Sequence, residues 1–327
     1  MPFFGAIIPR IPFSEARSMI LSATLNQMAF LFSLIIAGYV LVRLKLLPDG
    51  SESVLSKLEN YLFIPCLVLG TFIGNFTPAK LGSAGKLILF SVCIEVIVVA
   101  LSLLLTRLIT KDKYTRNIYL YGLCFSNFGF MGNAVVSALF PDVFLEYIIF
   151  TLVLWILIYV WGVPALLKEN DGGGAKTALK NLINPMFICM ILGIIIGLTG
   201  FRLPGFAVSL IDSVGGCMSP IAMLITGMTI AKANIGRILK IKSVYLVSVI
   251  RLVIYPMIFI GIYRLAGLEL SKSFLVCTVA SLAMPLGLNT IVIPNAYGKD
   301  TTVASGMALI SHVLSVITIP LIFTFIS

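Results

Sequence analysis

Two short segments of this 327-residue sequence place asparagines beside helix-breaking residues inside otherwise apolar stretches. They read "SNFGFMGN" at 126–133 and "AMPLGLN" at 283–289. The residues of interest are Asn127, Gly132, Asn133, Pro285, Gly287 and Asn289. Proline removes a backbone donor, and the peptide groups that a break frees must find partners other than lipid. Asparagine amides and the N–H groups of a restarting helix suit an anionic group such as a carboxylate, so these residues predict a substrate site.

The elements that carry these residues are predicted to be membrane helices. Hydrophobic residues make up 59% of the chain and charged residues 11%, with a mean hydropathy of +1.09. Ten apolar runs are each long enough to cross a hydrocarbon core, and they are continuously apolar rather than alternating as in a barrel. The predicted spans are 23–43, 54–74, 86–108, 117–140, 143–167, 181–200, 206–231, 242–266, 272–295 and 301–326. The sequence therefore predicts an all-α polytopic membrane protein with ten transmembrane helices.

The net charge of +10 is spread over short loops without an aromatic-interleaved basic patch, which argues against nucleic-acid binding. With the N-terminus outside, only seven basic residues fall outside and 15 fall inside. The seven are Arg10, Arg17, Lys80, Lys86, Arg202, Arg264 and Lys272. We therefore predict a multi-pass protein of the cytoplasmic membrane with both termini outside and residues 1–22 as an external arm. The six cysteines lack metal-like spacing, so we expect no metal and no cofactor.

An internal repeat divides the chain into two five-helix halves. Ser126 and Ser281 lie 155 residues apart, as do Pro65 and Pro220, and landmarks in the other three span pairs repeat at 156. The predicted repeats are 23–168 and 181–327, with a glycine-rich loop at 169–180 between them. Because five is an odd number, the second half enters the membrane in the opposite direction. Inverted repeats with discontinuous helices are typical of secondary transporters, which bind substrate near the midplane.

The matched positions of the two breaks favour a substrate site over the alternative that they only satisfy and pack kinked helices. Pro65 and Pro220 are expected to kink spans 2 and 7 beside the substrate, with packing alone as an equal alternative. Ionisable groups inside a membrane are costly and usually functional. Glu95 and Arg251 occupy equivalent positions in spans 3 and 8. We expect either an ion pair across the two halves or an Arg251 that attracts the substrate anion while Glu95 compensates its charge. The alternative is a buried pair that only holds the two halves together.

His312, the only histidine, lies within span 10 and is a candidate proton acceptor. The alternative is that it simply hydrogen-bonds to a neighbouring helix. Protonation is therefore one candidate for coupling transport to an ion gradient.

The runs "SNFGFMGNAVVSALFP" and "AMPLGLNTIVIPNAYGKD" resemble the signature segments of the auxin efflux carrier family of permeases. The resemblance covers essentially the whole chain. It implies a scaffold of spans 1, 2, 6 and 7 and a transport core of spans 3–5 and 8–10, in which broken helices 4 and 9 cross. The substrates it implies are small organic anions, auxin-like or malonate-like, held by the asparagines at the crossing.

The related bile-acid symporters share this fold and have a sodium site, which the pair Ser126-Asn127 resembles. Span 9 lacks the acidic residue that would complete such a site, so sodium coupling is less favoured than proton coupling. The sequence leaves open whether two copies form a homodimer through the scaffold spans.

The sequence thus predicts a secondary transporter of an organic anion in the lipid bilayer. The alternatives are a non-transporting receptor or sensor, or a channel, that uses the same pocket. Enzyme motifs such as HExxH, GxSxG with a histidine partner, or a phosphate-binding loop do not occur, so we expect no enzymatic activity.

Overall fold

The computed structural model describes residues 13–82, 85–167, 185–232, 235–267 and 270–326, and these residues form a bundle of helices. In chain order the helices are α1 (Phe13–Arg43), α2 (Ser51–Asn75), α3 (Gly85–Ile109), α4 (Lys113–Cys124), α5 (128–139), α6 (Pro141–Leu167), α7 (Pro185–Thr199), α8 (Gly205–Lys232), α9 (Lys242–Leu265), α10 (Lys272–Ala283), α11 (Asn289–Ala296) and α12 (Thr302–Phe323). Two short helices, Pro78–Gly82 and Ile235–Ile238, lie between them.

Length and apolar composition suit many of these helices to a bilayer. Six of the described helices, namely α2, α3, α6, α8, α9 and α12, are long and apolar enough to cross a membrane. Three shorter apolar segments are α7, α10 and the Phe32–Arg43 part of α1. The prediction of an all-α polytopic membrane protein is therefore confirmed.

Two predicted spans are interrupted where the sequence places its breaks. Residues 125–127 separate α4 from α5, and residues 284–288 separate α10 from α11. Helix α1 begins at Phe13, ten residues before its predicted span. The segment "FSEARSMI" extends the helix because it contains good helix formers, but its charged residues had excluded it from the predicted apolar span. Residues 1–12 of the expected arm and the expected inter-repeat loop at 169–180 lie outside the described residues.

Prolines explain the irregular turns within the long helices. Helices α2, α6 and α9 each contain one π-helical turn that ends two residues before a proline. The turns are 59–63, 158–162 and 250–254, and the prolines are Pro65, Pro164 and Pro256. A proline ring clashes with the carbonyl four residues earlier, and a wider turn relieves that clash. In α8 the helix is interrupted at Cys217, three residues before Pro220.

Each helix packs on particular neighbours. Helix α1 packs on α8 and on α12, while α2 packs on α7 and α8; α3 packs on α4 and α6, and α9 and α10 both pack on α12. The contact between α1 and α8 depends on glycine, because a Cβ atom at Gly227 would overlap the Ile35 carbonyl oxygen and one at Gly38 would overlap that of Leu224. Such small-residue contacts let two helix backbones approach closely.

Candidate functional site

The two helix breaks cross each other and pair through their backbones. Ser126 and Leu286 form an isolated antiparallel bridge. The N–H of Asn127 donates to the Pro285 carbonyl at 2.7 Å, and the N–H of Gly287 donates to the Phe125 carbonyl at 3.2 Å. Peptide groups that each break withdraws from its own helix are thereby satisfied by the other break.

A side chain of one break also binds the helix that precedes the other. The Ser126 hydroxyl donates to the backbone carbonyl of Ser281, its counterpart in the predicted repeat 155 residues later, at 2.8 Å. A Cβ atom at Gly287 would lie 3.0 Å from the Phe125 carbonyl oxygen, so glycine permits the close approach of the two chains. The sequence predicted both breaks, and the structure adds that they contact each other directly.

A narrow pocket lies beside the crossing. Four aromatic side chains, Tyr121, Phe125, Phe128 and Trp155, form much of its wall. Its polar and backbone lining comes from Ser126, Asn127, Gly129, Gly287 and Asn289, with Ile158, Met218 and Leu288 completing it. The cavity measures about 20 Å³ in this conformation, which is room for about one water molecule.

The two pocket asparagines are held by specific partners. Asn289 donates from Nδ2 to the Tyr121 hydroxyl at 3.2 Å, and Asn127 Nδ2 lies 3.2 Å from His312 Nε2. His312 Nδ1 lies 2.8 Å from the Ala308 carbonyl, which only accepts, so Nδ1 carries the proton. With Nδ1 protonated, Nε2 of a neutral ring accepts from Asn127. The buried histidine therefore fixes the orientation of the Asn127 amide.

The other predicted substrate residues lie around this pocket rather than in its wall. Pro285 supplies the carbonyl that Asn127 binds, and the N–H of Gly132 donates to the Asn127 carbonyl at 3.1 Å. A Cβ atom at Gly132 would overlap the Tyr147 hydroxyl. Asn133 begins the α-helical part of α5, and its buried Oδ1 has no hydrogen-bond partner in the described structure. The structure thus gathers Asn127, Gly287 and Asn289 at one pocket and leaves Asn133 about one turn along α5.

Arg251 lies buried behind the crossing and contacts both broken helices. Its guanidinium donates from Nη1 to the Leu123 carbonyl at 2.7 Å and from Nη2 to the Ser281 carbonyl at 2.5 Å. These carbonyls belong to the last turns of α4 and α10, where unpaired carbonyl groups give a helix partial negative charge. Arg251 therefore caps two helix ends at once.

Glu95, the predicted partner of Arg251, is buried on α3. It interacts electrostatically with Arg251, but its Oε2 has no hydrogen-bond partner within the described residues. The hydrogen bonds of the Arg251 guanidinium go to backbone carbonyls. The spacing of residues in the sequence could not have predicted these partners.

Two features escaped the sequence analysis. The aromatic wall comes from α4, the break after it, α5 and α6, and no periodic pattern links residues on separate helices. The second feature is Glu59, a fully buried carboxyl on α2 whose two oxygens both lack a hydrogen-bond partner among the described groups. Its sequence signal was an acidic residue inside predicted span 2. Among the described residues, no group of three or more His, Cys, Asp or Glu side chains could hold a metal ion.

The apolar helix bundle and its crossed breaks are those of a multi-pass membrane transport protein. The family model described as "Membrane transport protein" matches residues 23–323, and the chain belongs to this family, which includes the auxin efflux carriers. An uncharacterized transporter of Methanothermobacter thermautotrophicus is 27% identical over 309 residues, covering 93% of this chain and 98% of the relative. An uncharacterized transporter of Schizosaccharomyces pombe is 31% identical over 104 residues, or 32% of this chain and 23% of that relative. The predicted family is therefore confirmed, and it is a transporter family rather than an enzyme family.

Proposed function

We propose that this protein is a secondary transporter that moves a small organic anion across the cytoplasmic membrane by alternating access, with the substrate bound at the crossing of the two broken helices. The observation that carries the proposal is the antiparallel pairing of the breaks beside a pocket that contains Asn127 and Asn289. Transporters that use discontinuous helices bind their substrates where those helices meet.

The chemistry of the pocket suits a carboxylate attached to an apolar or aromatic body. Helices α5 and α11 both begin at the pocket, and the N-termini of helices carry partial positive charge. Their partial positive charge attracts an anion, and the amides of Asn127 and Asn289 add donors. The aromatic wall of Tyr121, Phe125 and Trp155 suits the remainder of an auxin-like molecule, whereas a malonate-like dicarboxylate relies on the polar groups.

The packing supports an architecture of ten membrane-spanning segments in two inverted repeats. In that architecture α4 and α5 form one segment and α10 and α11 another. Helix α1 packs on α8, and their repeat equivalents α7 and α2 pack on each other. We assign α1, α2, α7 and α8 to a scaffold and the remaining helices to a transport core. The hydrogen bond between equivalent residues Ser126 and Ser281 lies where a pseudo-two-fold axis would pass.

The size of the pocket supports alternating access. A cavity of about 20 Å³ holds roughly one water molecule, so a carboxylate with several heavy atoms requires the core to move away from the scaffold. Met218 on α8 is the scaffold residue in the pocket wall, and the core residues face it. Movement of the core would therefore open the site at this boundary.

The remaining expectations complete the proposal. Proton coupling is favoured over sodium coupling, both chain termini lie outside, and lipid surrounds the apolar helices. Homodimerisation through the scaffold stays a prediction.

Ligand-dependent stabilisation tests the substrate class and the site together. We expect one or more members of a panel of mono- and dicarboxylates to raise the unfolding temperature of the purified protein, because a ligand that binds only the folded state stabilises it. Asn127→Ala and Asn289→Ala should lose most of that shift. Asn75→Ala is the matched control, since the Asn75 amide donates to its own helix at Thr71. Equal shifts in all four proteins would contradict binding at the crossing.

Transport in proteoliposomes distinguishes a carrier from a receptor or channel. A carrier gives saturable flux and counterflow, in which unlabelled substrate inside drives labelled substrate inward. A receptor would show stabilisation without flux, and a channel would show flux without counterflow. Either result would refute alternating access.

A further inference from the structure

Glu59 is a buried acid that neither the substrate pocket nor the helix crossing uses. It lies in the π-helical turn 59–63 of α2, about 12 Å along the helix from Ser51. The side chain is fully buried, and both carboxylate oxygens lack a hydrogen-bond donor among the described groups. An ionised carboxylate in that state is strongly unfavourable inside a membrane protein, so this conformation requires the neutral acid or a bound cation.

Among the residues that the structure describes, no counter-charge faces Glu59 from the helices packed around it. Its turn packs against α7, α8 and α11. The titratable and charged groups on these helices are Cys189, Asp212, Cys217 and Lys232, and α11 carries none. Lys232 instead pairs with Glu52 at 2.7 Å and so does not compensate a charge on Glu59.

The surroundings of Glu59 fit a proton better than a metal cation. A hard cation takes several oxygen ligands, at least one of them commonly anionic. Neighbouring Asn60 directs its Nδ2 to the carbonyls of Ser56 and Val292, at 2.9 and 3.3 Å, and only its buried Oδ1 is without a partner. The described residues around Glu59 therefore do not supply the ligand cage that a metal cation needs.

Glu59 lies where α2 meets α11, the helix that begins at the substrate pocket. Asn60 binds the Val292 carbonyl at 3.3 Å, three residues beyond pocket residue Asn289, and Asn295 donates to the Ser56 hydroxyl at 3.1 Å. In the proposed function α2 belongs to the scaffold and α11 to the moving core. A change at this contact therefore acts on the movement that opens the pocket.

We propose that Glu59 is the proton-binding site that couples transport to the proton gradient, an inference that rests on the proposed carrier function. A proton from water joins one carboxylate oxygen, and the neutral acid permits the packed contact between α2 and α11. Loss of the proton leaves a carboxylate that must reach water, which favours movement of the core away from the scaffold. Substrate movement and proton movement thus share one conformational change.

The test compares exchange with gradient-driven uptake in proteoliposomes, using a carboxylate identified by the stabilisation panel. Glu59→Gln keeps the size of the neutral acid but cannot release a proton. We expect it to exchange labelled for unlabelled carboxylate within about twofold of the parent protein and to lose at least tenfold of the uptake driven by a pH gradient. The matched control is Glu52→Gln, seven residues earlier on α2, which should retain both activities.

Each outcome separates this inference from the proposed function. Uptake driven by a pH gradient in Glu59→Gln would overturn the assignment of Glu59 as the proton site. Uptake by the parent protein that follows a sodium gradient instead would do the same. Both results would leave the proposed carrier function intact. If the parent protein exchanges no carboxylate, the proposed function fails. Labelling with dicyclohexylcarbodiimide then still tests Glu59, because this reagent modifies protonated carboxyls in apolar surroundings. Mass spectrometry should find the adduct on Glu59 and not on Glu52, and an unmodified Glu59 would overturn the inference.

Discussion

Replacing Arg251 should destabilise the protein by removing the cap on two helix ends at the crossing. In Arg251→Met the Leu123 carbonyl loses its donor, whereas the Ser281 carbonyl retains the Ser126 hydroxyl at 2.8 Å. One buried carbonyl without a donor costs about 1–3 kcal/mol. Glu95 also loses its compensating charge, and breaking a buried charge pair in this way costs about 3–5 kcal/mol in total. We therefore expect the free energy of unfolding to fall by about 3–5 kcal/mol.

A second substitution separates the electrostatic part from the hydrogen bonds. In the double variant Glu95→Gln with Arg251→Met, the uncompensated charge is gone. Only the cost of the Leu123 carbonyl without a hydrogen-bond donor remains, about 1–3 kcal/mol. The double variant should therefore be more stable than Arg251→Met alone by about 2 kcal/mol. Glu95→Gln by itself provides the fourth corner of the cycle.

The assay is equilibrium unfolding in mixed micelles with increasing dodecyl sulfate. Trp155 and Trp161, the two tryptophans of the sequence, both lie on α6 and report its environment by fluorescence. A stability of Arg251→Met within about 1 kcal/mol of the parent would refute the capping role, because one buried carbonyl without a donor already costs about 1–3 kcal/mol. A double variant less stable than Arg251→Met would refute the charge compensation by Glu95. Normal transport by Glu95→Leu with Arg251→Met would show that the pair has no part in the mechanism.

Three further predictions follow from individual contacts. Gly227→Ala should cost about 1–3 kcal/mol of unfolding free energy, since the new methyl group overlaps the backbone of α1, whereas Gly216→Ala, with open space around it, should not destabilise the protein. His312→Phe removes the acceptor that orients Asn127. In a binding titration of the folded variant, we expect substrate affinity to be about tenfold weaker, a loss of about 1.4 kcal/mol. Unchanged affinity would contradict the orienting role of His312. Asp112 caps α4, and the hydrogen bonds from the first turn hold the pKa of its carboxyl below the usual value of 3.8. The stabilisation by Asp112 is therefore present above pH 3.8 and is lost as the pH falls through the lower pKa of the folded state. Asp112→Ala should lower the free energy of unfolding by about 1 kcal/mol at neutral pH in denaturation experiments. This difference should vanish in acid.

Hydropathy and the residues that break helices were sufficient to predict the membrane class and the two interrupted spans. These properties are local: a bilayer requires long apolar helices with satisfied backbones, and proline or glycine disrupts a helix wherever it stands. The family, too, was identified from the segments around the breaks and is confirmed by the match over residues 23–323. The substrate and coupling residues stay predictions.

Tertiary packing alone decided which groups meet. Asn127 and His312 are 185 residues apart in sequence, and the Arg251 guanidinium reaches a carbonyl 128 residues away, a partner that charge pairing could not suggest. Glu59 appears in the sequence as one acid near the start of a span. Only the packing of α7, α8 and α11 leaves it without a hydrogen-bond donor among the described residues. A helix encodes its own hydrogen bonds, but the partners of the groups it leaves unsatisfied depend on how distant helices fit together.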